Sequence, residues 1–382
     1  MNVPKLRFKG FSDEYIELKL KDICLFYSGG TPISSNRNFY TGYVPFIRSG
    51  EIHKAKTELF VTDEAIKNSS AKYVKKGDLL FALYGATSGD VAISKINGVI
   101  NQAILCIKPQ KFYNQIYIKY LLELNKKSIL NKYIQGGQGN LSANIIKNIK
   151  FNFCSFKEQS KVANFLLLLD KKIELQVKKI EALKLFKKGL LNELLKCNSC
   201  SKIPLKHILK ERKEYSTKAG NLPHVTLSKN GIEEKTERYN RDFLVKSKNK
   251  KYKTTKIYDL CYNPANLKFG VICLNTYGSA IFSPIYITFE INHKFNPLYI
   301  GYYVTQQNFI NSARKYEQGT VYERMAVAPE DFLKMNIYVP NKYIQDKFST
   351  ILIFMDKKLN NENEKLKKLE ALKKGFMQNM FV

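Results

Sequence analysis

Three short segments of this chain have residue types that could act on nucleic acid or nucleotides. Residues 263–266 (Asn-Pro-Ala-Asn) begin like the Asn-Pro-Pro-aromatic loop that holds a flipped base in amino-methyltransferases, but the second proline and the aromatic residue are missing. Residues 85–89 are glycine-rich but lack the Lys-Ser/Thr pair of a phosphate-binding loop. Residues 17–19 (Glu-Leu-Lys) have a nuclease-like spacing that is common by chance in a lysine-rich chain. We interpret residues 263–266 as a turn and expect no catalytic residue.

Candidate metal ligands are equally sparse. Cys197 and Cys200 have CxxC spacing, but no second cysteine pair or histidine pair completes a set of four zinc ligands. A linker after a helix is also not the βαβ setting of a redox motif. The four histidines, which fall into no paired ligand spacing, are His53, His207, His224 and His293. The sequence therefore predicts no metal site and no cofactor in this chain.

The charge of the chain points to a polyanionic partner. Lys and Arg number 63 against 33 Asp and Glu, which gives a formal net charge of +30 over 382 residues. A basic surface of this strength favours nucleic acid as the partner. The alternative is a solvated lysine-rich surface produced by genomic composition, which the abundant Asn and Ile also fit. No apolar run approaches the roughly 18 residues of a membrane span, and the start of the chain is not a secretory signal, so we expect a cytoplasmic protein.

The helices and modules that would carry this basic surface form an internal repeat. A shift of 186 positions pairs three segments of the chain: Gln159 with Gln345, residues 170–172 with 356–358, and residues 187–189 with 373–375. A shift near half the chain length indicates two copies of one unit, each a globular module followed by a long helix. Two related modules in one chain favour a target with two parts.

Both long helices have a heptad pattern of apolar residues, which predicts that they pack on each other. Each is expected to run for roughly 39 residues, or about 58 Å. The expected seam residues are Leu166, Leu169, Ile173, Ile180, Leu183, Lys187, Leu352, Met355, Leu359, Glu362, Leu366, Leu369 and Lys373. The seam is broken by polar residues at matched places in the two copies. In an antiparallel pair, opposing these breaks predicts a register in which Lys187 faces Glu362 and Gln176 faces Lys373.

Each module is predicted to consist of short strands and helices in the same order, which is an α+β fold. In the first copy we expect helices at residues 18–26 and 116–125 and strands at 44–48, 78–83, 91–93, 103–107 and 149–153. In the second copy we expect helices at 205–213 and 297–306 and strands at 224–227, 259–262, 269–272 and 284–289. The predicted domains are residues 1–155, a spacer helix at 156–197, residues 198–340 and a second spacer helix at 341–382. Outside the helices the copies match in element order far better than in residue identity.

Several segments together resemble the specificity subunit of type I restriction-modification systems. They are residues 20–23 before 28–32 (Ser-Gly-Gly-Thr-Pro), residues 84–89 (Tyr-Gly-Ala-Thr-Ser-Gly) before 101–103, residues 262–264 before 282–286, and residues 157–159 (Lys-Glu-Gln) at the foot of a long helix. Their order covers nearly the whole chain. The second copy departs from the pattern at Ile344, where the first copy has Glu158 before its Gln.

The resemblance implies two target-recognition domains separated by two antiparallel helices with pseudo-twofold symmetry. It further implies a subunit that reads a bipartite DNA sequence and positions two methyltransferase (modification) subunits and possibly restriction subunits. S-adenosylmethionine would then belong to the methyltransferase partner, and ATP and Mg²⁺ to the restriction partner. The alternatives are the equivalent subunit of a related type II (type IIB-like) enzyme and a non-catalytic RNA-binding or scaffold protein.

Candidate DNA contacts are polar side chains at strand ends and in loops of the two modules. Bases are read by side chains with two hydrogen-bonding arms, and phosphates are held by Lys, Arg and hydroxyl groups. The candidates are Arg48, Gln138, Asn140, Lys229, Asn230, Lys268, Tyr322 and Arg324.

Overall fold

The computed structural model describes residues 3–133, 140–195, 200–217, 221–234, 251–318 and 325–382. The chain divides into two compact units. The first unit combines residues 1–178 with 363–382, and the second comprises residues 179–362. Each unit therefore contains one globular module and a stretch of each long helix.

The first module is built from short strands and helices. Its strands are β1 (Ile16–Lys19), β2 (Cys24–Ser28), β3 (Val44–Ile47), β4 (Leu59–Val61), β5 (Lys72–Val74), β6 (Leu79–Ala82), β7 (Val91–Ile93), β8 (Gly98–Ile100), β9 (Ile104–Pro109) and β10 (Lys150–Phe153). Its helices are α1 (Leu20–Ile23), α2 (Asp63–Lys67), α3 (Gln115–Tyr133) and α4 (Ala143–Lys147). The long helix α5 (Phe156–Leu195) follows β10 after two residues.

The strands of the first module form two four-stranded sheets. One has the order β2-β9-β6-β7 and is antiparallel throughout. The other has the order β4-β3-β8-β5, in which β3 and β8 are parallel. Leu79 and Phe81 of β6 share a core with α3, whereas Leu80 and Ala82 belong to a second core with residues of β3, β5 and β8. Because β6 is buried on both faces, its sequence is a continuous apolar run.

The second module repeats part of this plan. Its strands are β11 (Ser201–Pro204), β12 (Leu209–Glu211), β13 (Tyr215–Thr217), β14 (Val225–Ser228), β15 (Gly231–Glu234), β16 (Lys251–Thr255), β17 (Leu260–Tyr262), β18 (Ile272–Leu274), β19 (Ala280–Phe282), β20 (Ile287–Ile291) and β21 (Asn336–Val339). Its helices are α6 (Pro297–Val304), α7 (Gln307–Ala313) and α8 (Pro329–Lys334), and the second long helix is α9 (Lys342–Met380).

One sheet recurs in the two modules and the other does not. The order β12-β20-β17-β18 reproduces β2-β9-β6-β7, again antiparallel throughout. The pair β11–β21 likewise corresponds to β1–β10, and each pair ends where a long helix begins. In place of the second sheet of the first module, the described part of the second module has the three-stranded sheet β13-β16-β19 and the hairpin β14–β15. The shared sheet is a common scaffold, and the remainder differs between modules.

The long helices are antiparallel within each unit. In the first unit the ring of Phe165 lies 4.8 Å from that of Phe376, and Asp170 lies 2.6 Å from Lys373. In the second unit Lys179 pairs with Glu362 at 3.0 Å and Lys187 pairs with Asp356. In both units the residue number rises along α5 as it falls along α9. The helices have 40 and 39 residues, so the predicted helix pair and the α+β fold class are confirmed.

The predicted register of this pair is wrong, although the seam residues are buried or half-buried. Lys187 contacts Asp356, and Glu362 contacts Lys179, two helical turns away from Lys187. Lys373 contacts Asp170. The prediction rested on satisfying the polar breaks with one another. It failed because Asp170 and Asp356, which are not heptad positions, supply the counter-charges.

Two predicted helices are mostly not α-helical, and each contains part of a strand. Within residues 18–26 only the single turn α1 is helical, and residues 205–213 contain a 3-10 turn at Leu205–His207 followed by β12. In both places the neighbouring residues pair with β9 or β20 at the edge of the shared sheet. Tertiary strand pairing therefore overrides the local helical pattern. Among the described residues, no helix is long and apolar enough to cross a membrane.

Candidate nucleic-acid interface

A buried glutamine attaches the first module to the foot of its long helix. The side-chain oxygen of Gln159 accepts a 2.8 Å hydrogen bond from the backbone N–H of Asn114, and its amide nitrogen donates to the carbonyl of Cys154 at 2.8 Å. Asn114 in turn accepts hydrogen bonds from the backbone N–H groups of Ile116 and Tyr117 at 2.9 and 3.1 Å, and so caps α3. The N-terminus of α3 is thereby held at the first turn of α5.

The same attachment recurs in the second module. Gln345 accepts a 2.8 Å hydrogen bond from the backbone N–H of Asn296 and donates to the carbonyl of Pro340 at 2.8 Å. Asn296 caps α6 by accepting from the N–H groups of Leu298 and Tyr299 at 2.9 and 3.1 Å. The repeat is therefore conserved in atomic contacts as well as in sequence.

A second attachment lies further along α3, where Tyr120, Asp170 and Lys373 meet. We call these residues the first triad. The hydroxyl of Tyr120 donates to the Asp170 carboxylate at 2.7 Å, and the ammonium of Lys373 lies 2.6 Å from the same carboxylate. That ammonium also lies 5.2 Å from the centre of the Tyr120 ring. Burial, followed by the hydrogen bond to Asp170, raises the pKa of Tyr120, so the phenol stays a hydrogen-bond donor.

The second triad consists of Tyr302, Asp356 and Lys187. The Tyr302 hydroxyl donates to Asp356 at 2.5 Å, Lys187 donates to the same carboxylate, and the ammonium lies 5.3 Å from the Tyr302 ring centre. Burial and the hydrogen bond to Asp356 raise the pKa of Tyr302. The Asp and Lys positions of the two triads differ by 186, and the Tyr positions differ by 182, as do those of Asn114 and Asn296. Each module is thus fixed to its long helices by two matched contacts.

One attachment is present in the first module and replaced in the second. The guanidinium of Arg7 makes two 2.8 Å hydrogen bonds with the carboxylate of Glu158, whose side chain is only 1% exposed. Tyr15 donates to the same carboxylate at 3.3 Å. The corresponding position of the second copy is Ile344, which is 41% exposed. The departure at Ile344 is therefore the exchange of an ion-paired carboxylate for an aliphatic side chain.

Comparison with known proteins finds a family match within the first half of the chain. Residues 12–185 match the family described as type I restriction modification DNA specificity domain. Over 182 residues the chain is 30% identical to the type I restriction enzyme MjaIX specificity subunit of Methanocaldococcus jannaschii. That alignment covers 44% of this chain and 42% of the relative, so the match spans less than half of either protein.

Solved structures extend the likeness in fold beyond this specificity domain. The S subunit of a type I restriction-modification system from M. genitalium aligns with a TM-score of 0.65 at 14% identity, covering 100% of this chain and 99% of that one. A structure of a type I restriction-modification system, described in terms of complex assembly, aligns with a TM-score of 0.56 at 11% identity over 96% and 97% of the two chains. These identities show the fold alone. The resemblance to type I specificity subunits is confirmed.

Two of the three segments that look catalytic form turns, and the third, residues 17–19, lies in β1. Residues 263–266 begin a 3-10 helix, Pro264–Phe269, that is capped by the side chain of Asn263. Residues 85–87 form another 3-10 turn, and the hydroxyl of Ser88 donates to the carbonyl of Leu83 at 3.0 Å. Cys197 lies outside the described residues. The interpretation of residues 263–266 as a turn agrees with this geometry.

Arg48, a candidate DNA contact, is already paired within the first module. Its guanidinium donates to Glu51 at 3.0 and 3.2 Å and to Glu58 at 2.5 Å. Burial would raise the pKa of Glu51, but hydrogen bonds from Arg48, from two backbone N–H groups and from Thr57 outweigh it and lower the pKa to about 2. The Arg48 side chain is therefore held against two carboxylates while 39% of it stays exposed.

The other candidates are placed as follows. Asn140 is exposed and precedes Leu141, whose backbone N–H donates to Leu83 at the start of the residue 84–89 turn. Lys229 and Asn230 are exposed at the tip of the β14–β15 hairpin. Lys268 is half-buried beside the ring of Phe269. Gln138, Tyr322 and Arg324 lie outside the described residues.

A basic group that the sequence did not indicate lies at two adjoining turns of the first module. The backbone N–H of Lys76 donates to Asn97 at 2.8 Å, and that of Gly77 donates to Ser94 at 2.8 Å, so the β5–β6 and β7–β8 turns are neighbours. The exposed side chains of Lys75, Lys76 and Lys95 lie on these turns. We call them the turn lysines. Their separation in sequence concealed the grouping, because proximity depends on the hydrogen bonds between turns.

Proposed function

We propose that this chain is the DNA-recognition subunit of a type I restriction-modification complex and reads a bipartite target, one half-site per module. The observation that carries the proposal is the division of each module into a shared and a variable part. The four-stranded scaffold sheet and the attachments to the long helices recur, whereas the second sheet differs. A protein that binds two different half-sites with two similarly attached modules requires both a recurring scaffold and a part that differs between the modules. The family match of residues 12–185 supports the assignment.

The chemistry of recognition would be divided between cations and amides. The turn lysines suit phosphate contacts, since an ammonium acts as a sequence-independent point charge. Asn140 and Asn230 are exposed amides, and an amide can make two hydrogen bonds to adenine. The net charge of +30 would favour rapid association with DNA. Gln138, Tyr322 and Arg324 remain predicted contacts.

In this proposal the chain binds and positions but does not catalyse. Two modification subunits would bind one copy of the chain, because the chain contains two similar units, each a globular module followed by a long helix. Methyl transfer from S-adenosylmethionine would occur on those subunits, and ATP- and Mg²⁺-dependent translocation and cleavage on restriction subunits. The two long helices would set the gap between half-sites. We propose that the complex acts in the cytoplasm, where bacterial and archaeal DNA is accessible.

Modified-base sequencing of DNA exposed to the chain together with its methyltransferase partner tests this function. The expected result is methylation at one motif with two defined halves and a fixed gap. Methyl transfer by the purified chain alone would contradict the non-catalytic role. Binding to RNA in preference to DNA, with no methylated motif, would favour the scaffold alternative. Cleavage at fixed positions flanking the motif would indicate a type IIB-like complex.

A further inference from the structure

Each triad joins three separate elements of the fold. The first links α3 through Tyr120, α5 through Asp170 and α9 through Lys373. The second links α6, α9 and α5 through the equivalent residues. Each long helix therefore supplies one aspartate and one lysine, 17 residues apart in sequence. The register of α5 against α9 and the attachment of each module depend on the same carboxylates.

The apolar part of the seam cannot select this register alone. Leucine-like residues that recur every seven positions meet similar partners when one helix slides by a heptad, which is about 10 Å. A polar layer removes this ambiguity, because a half-buried charge that loses its partner is costly. Lys187 and Lys373 occupy heptad positions, and their side chains are only 20% and 21% exposed. A heptad slip would separate both from their carboxylates.

We propose that the two triads are the elements that select the helix register and thereby determine which gap between half-sites the protein accepts. This inference rests on the proposed function. A heptad slip of about 10 Å corresponds to about three base pairs at 3.4 Å each. Because Tyr120 and Tyr302 fix the same carboxylates to the modules, loosening a triad also loosens the module relative to the helix. In this proposal Lys187 and Asp356, like Lys373 and Asp170, are positioning residues and do not contact bases.

Charge reversal and its repair test the inference. Lys187→Asp places two aspartates together, and Lys187→Asp with Asp356→Lys restores the ion pair in the opposite sense. Lys373→Asp with Asp170→Lys does the same for the first triad. The control is Lys178→Asp, which changes an exposed lysine of α5 that pairs with Glu174 in the same helix. Tyr120→Phe with Tyr302→Phe is a milder variant that removes only the two hydroxyl contacts.

Binding and methylation are measured on duplexes whose half-sites are separated by the natural gap or by gaps altered by one to three base pairs. We expect the native protein and Lys178→Asp to prefer the natural gap by about tenfold or more, a difference of about 1.4 kcal/mol. Lys187→Asp and Lys373→Asp should reduce this preference to within about threefold, under 1 kcal/mol by the same conversion, and each repaired double variant should regain it. The half-site sequences should stay unchanged. A general loss of stability would lower binding to all duplexes without changing their ratio.

Two outcomes would overturn the inference, and they are distinguishable from failure of the proposed function. In the first, charge-reversed chains that fold keep the full gap preference. In the second, reversed chains fail to fold and the Tyr120→Phe, Tyr302→Phe chain folds but keeps the full preference. If the native chain with its partner shows no bipartite preference, the proposed function fails before any variant is compared.

Discussion

Arg7 and Glu158 form a two-bonded ion pair at the foot of α5, with both hydrogen bonds 2.8 Å long. The two residues are 151 positions apart in sequence. The pair attaches the segment before β1 to the first turn of the long helix. The counterpart of Glu158 in the second copy is an isoleucine. The same position of the repeat therefore holds an ion-paired carboxylate in one copy and an aliphatic side chain in the other.

Arg7→Ala is expected to lower the free energy of unfolding of the first unit by roughly 3 kcal/mol, because it leaves the buried Glu158 carboxylate without its charge partner. Adding Glu158→Ile, which copies Ile344, should recover most of the loss. Urea unfolding of the full-length variants measures both values. An Arg7→Ala chain as stable as the native one would show that the pair is not a structural support.

Glu51 should make the stability of the first module depend on pH in the acidic range. Its folded-state pKa of about 2 lies below the ordinary value of 4.5, so its contribution is complete above about pH 4.5 and is lost as the pH falls toward 2. Glu51→Gln should therefore cost roughly 3 kcal/mol at pH 7, and the difference from the native chain should shrink between pH 5 and 3. Urea unfolding across this range measures the change. Glu58→Gln, at an exposed carboxylate, should have a much smaller effect, and a Glu51→Gln deficit independent of pH would contradict the assignment.

The turn lysines should contribute affinity without sequence preference. Replacing Lys75, Lys76 and Lys95 by glutamine is expected to reduce the slope of log K against log salt by about 0.9 for each phosphate contact that is lost. The methylated motif should not change. A salt titration of DNA binding measures the slope, with Lys178→Gln as a control at an exposed lysine of α5. An altered motif with an unchanged slope would assign these residues to base reading instead.

Exchange of one module should alter one half of the target. Replacing residues 1–155 with the corresponding module of a relative is expected to change a single half of the methylated motif, because the first module is attached to the long helices by its own contacts, to Glu158, Gln159 and Asp170. Modified-base sequencing reads the result. A chain in which both halves change would show that the modules do not read independently.

For a single side chain, Arg324→Ala should weaken DNA binding by roughly 1–3 kcal/mol if Arg324 pairs with a base edge.

The two long helices could be predicted because the sequence pattern that specifies them is local and occurs twice in the chain. A heptad is visible in sequence, the 186-position shift marks both copies, and the predicted length agrees with 40 and 39 residues. Strands of the shared sheet such as β6 could be predicted from apolar runs, since burial on both faces leaves a continuous apolar segment. The strands β2 and β12 could not, because they fall in segments with a local helical pattern. The family resemblance depended on the same repeated order.

Contacts between distant residues depended on the tertiary structure. By sequence Asp170 lies off the heptad positions and Lys373 is expected to face Gln176, and only the packing of α3, α5 and α9 makes Asp170 and Lys373 partners. The same holds for the turns that bring Lys76 and Lys95 near each other. Periodicity reports which face of an element is buried, but not which of several heptad registers satisfies the charges. That choice is made where elements meet, by the counter-charge that each half-buried lysine requires.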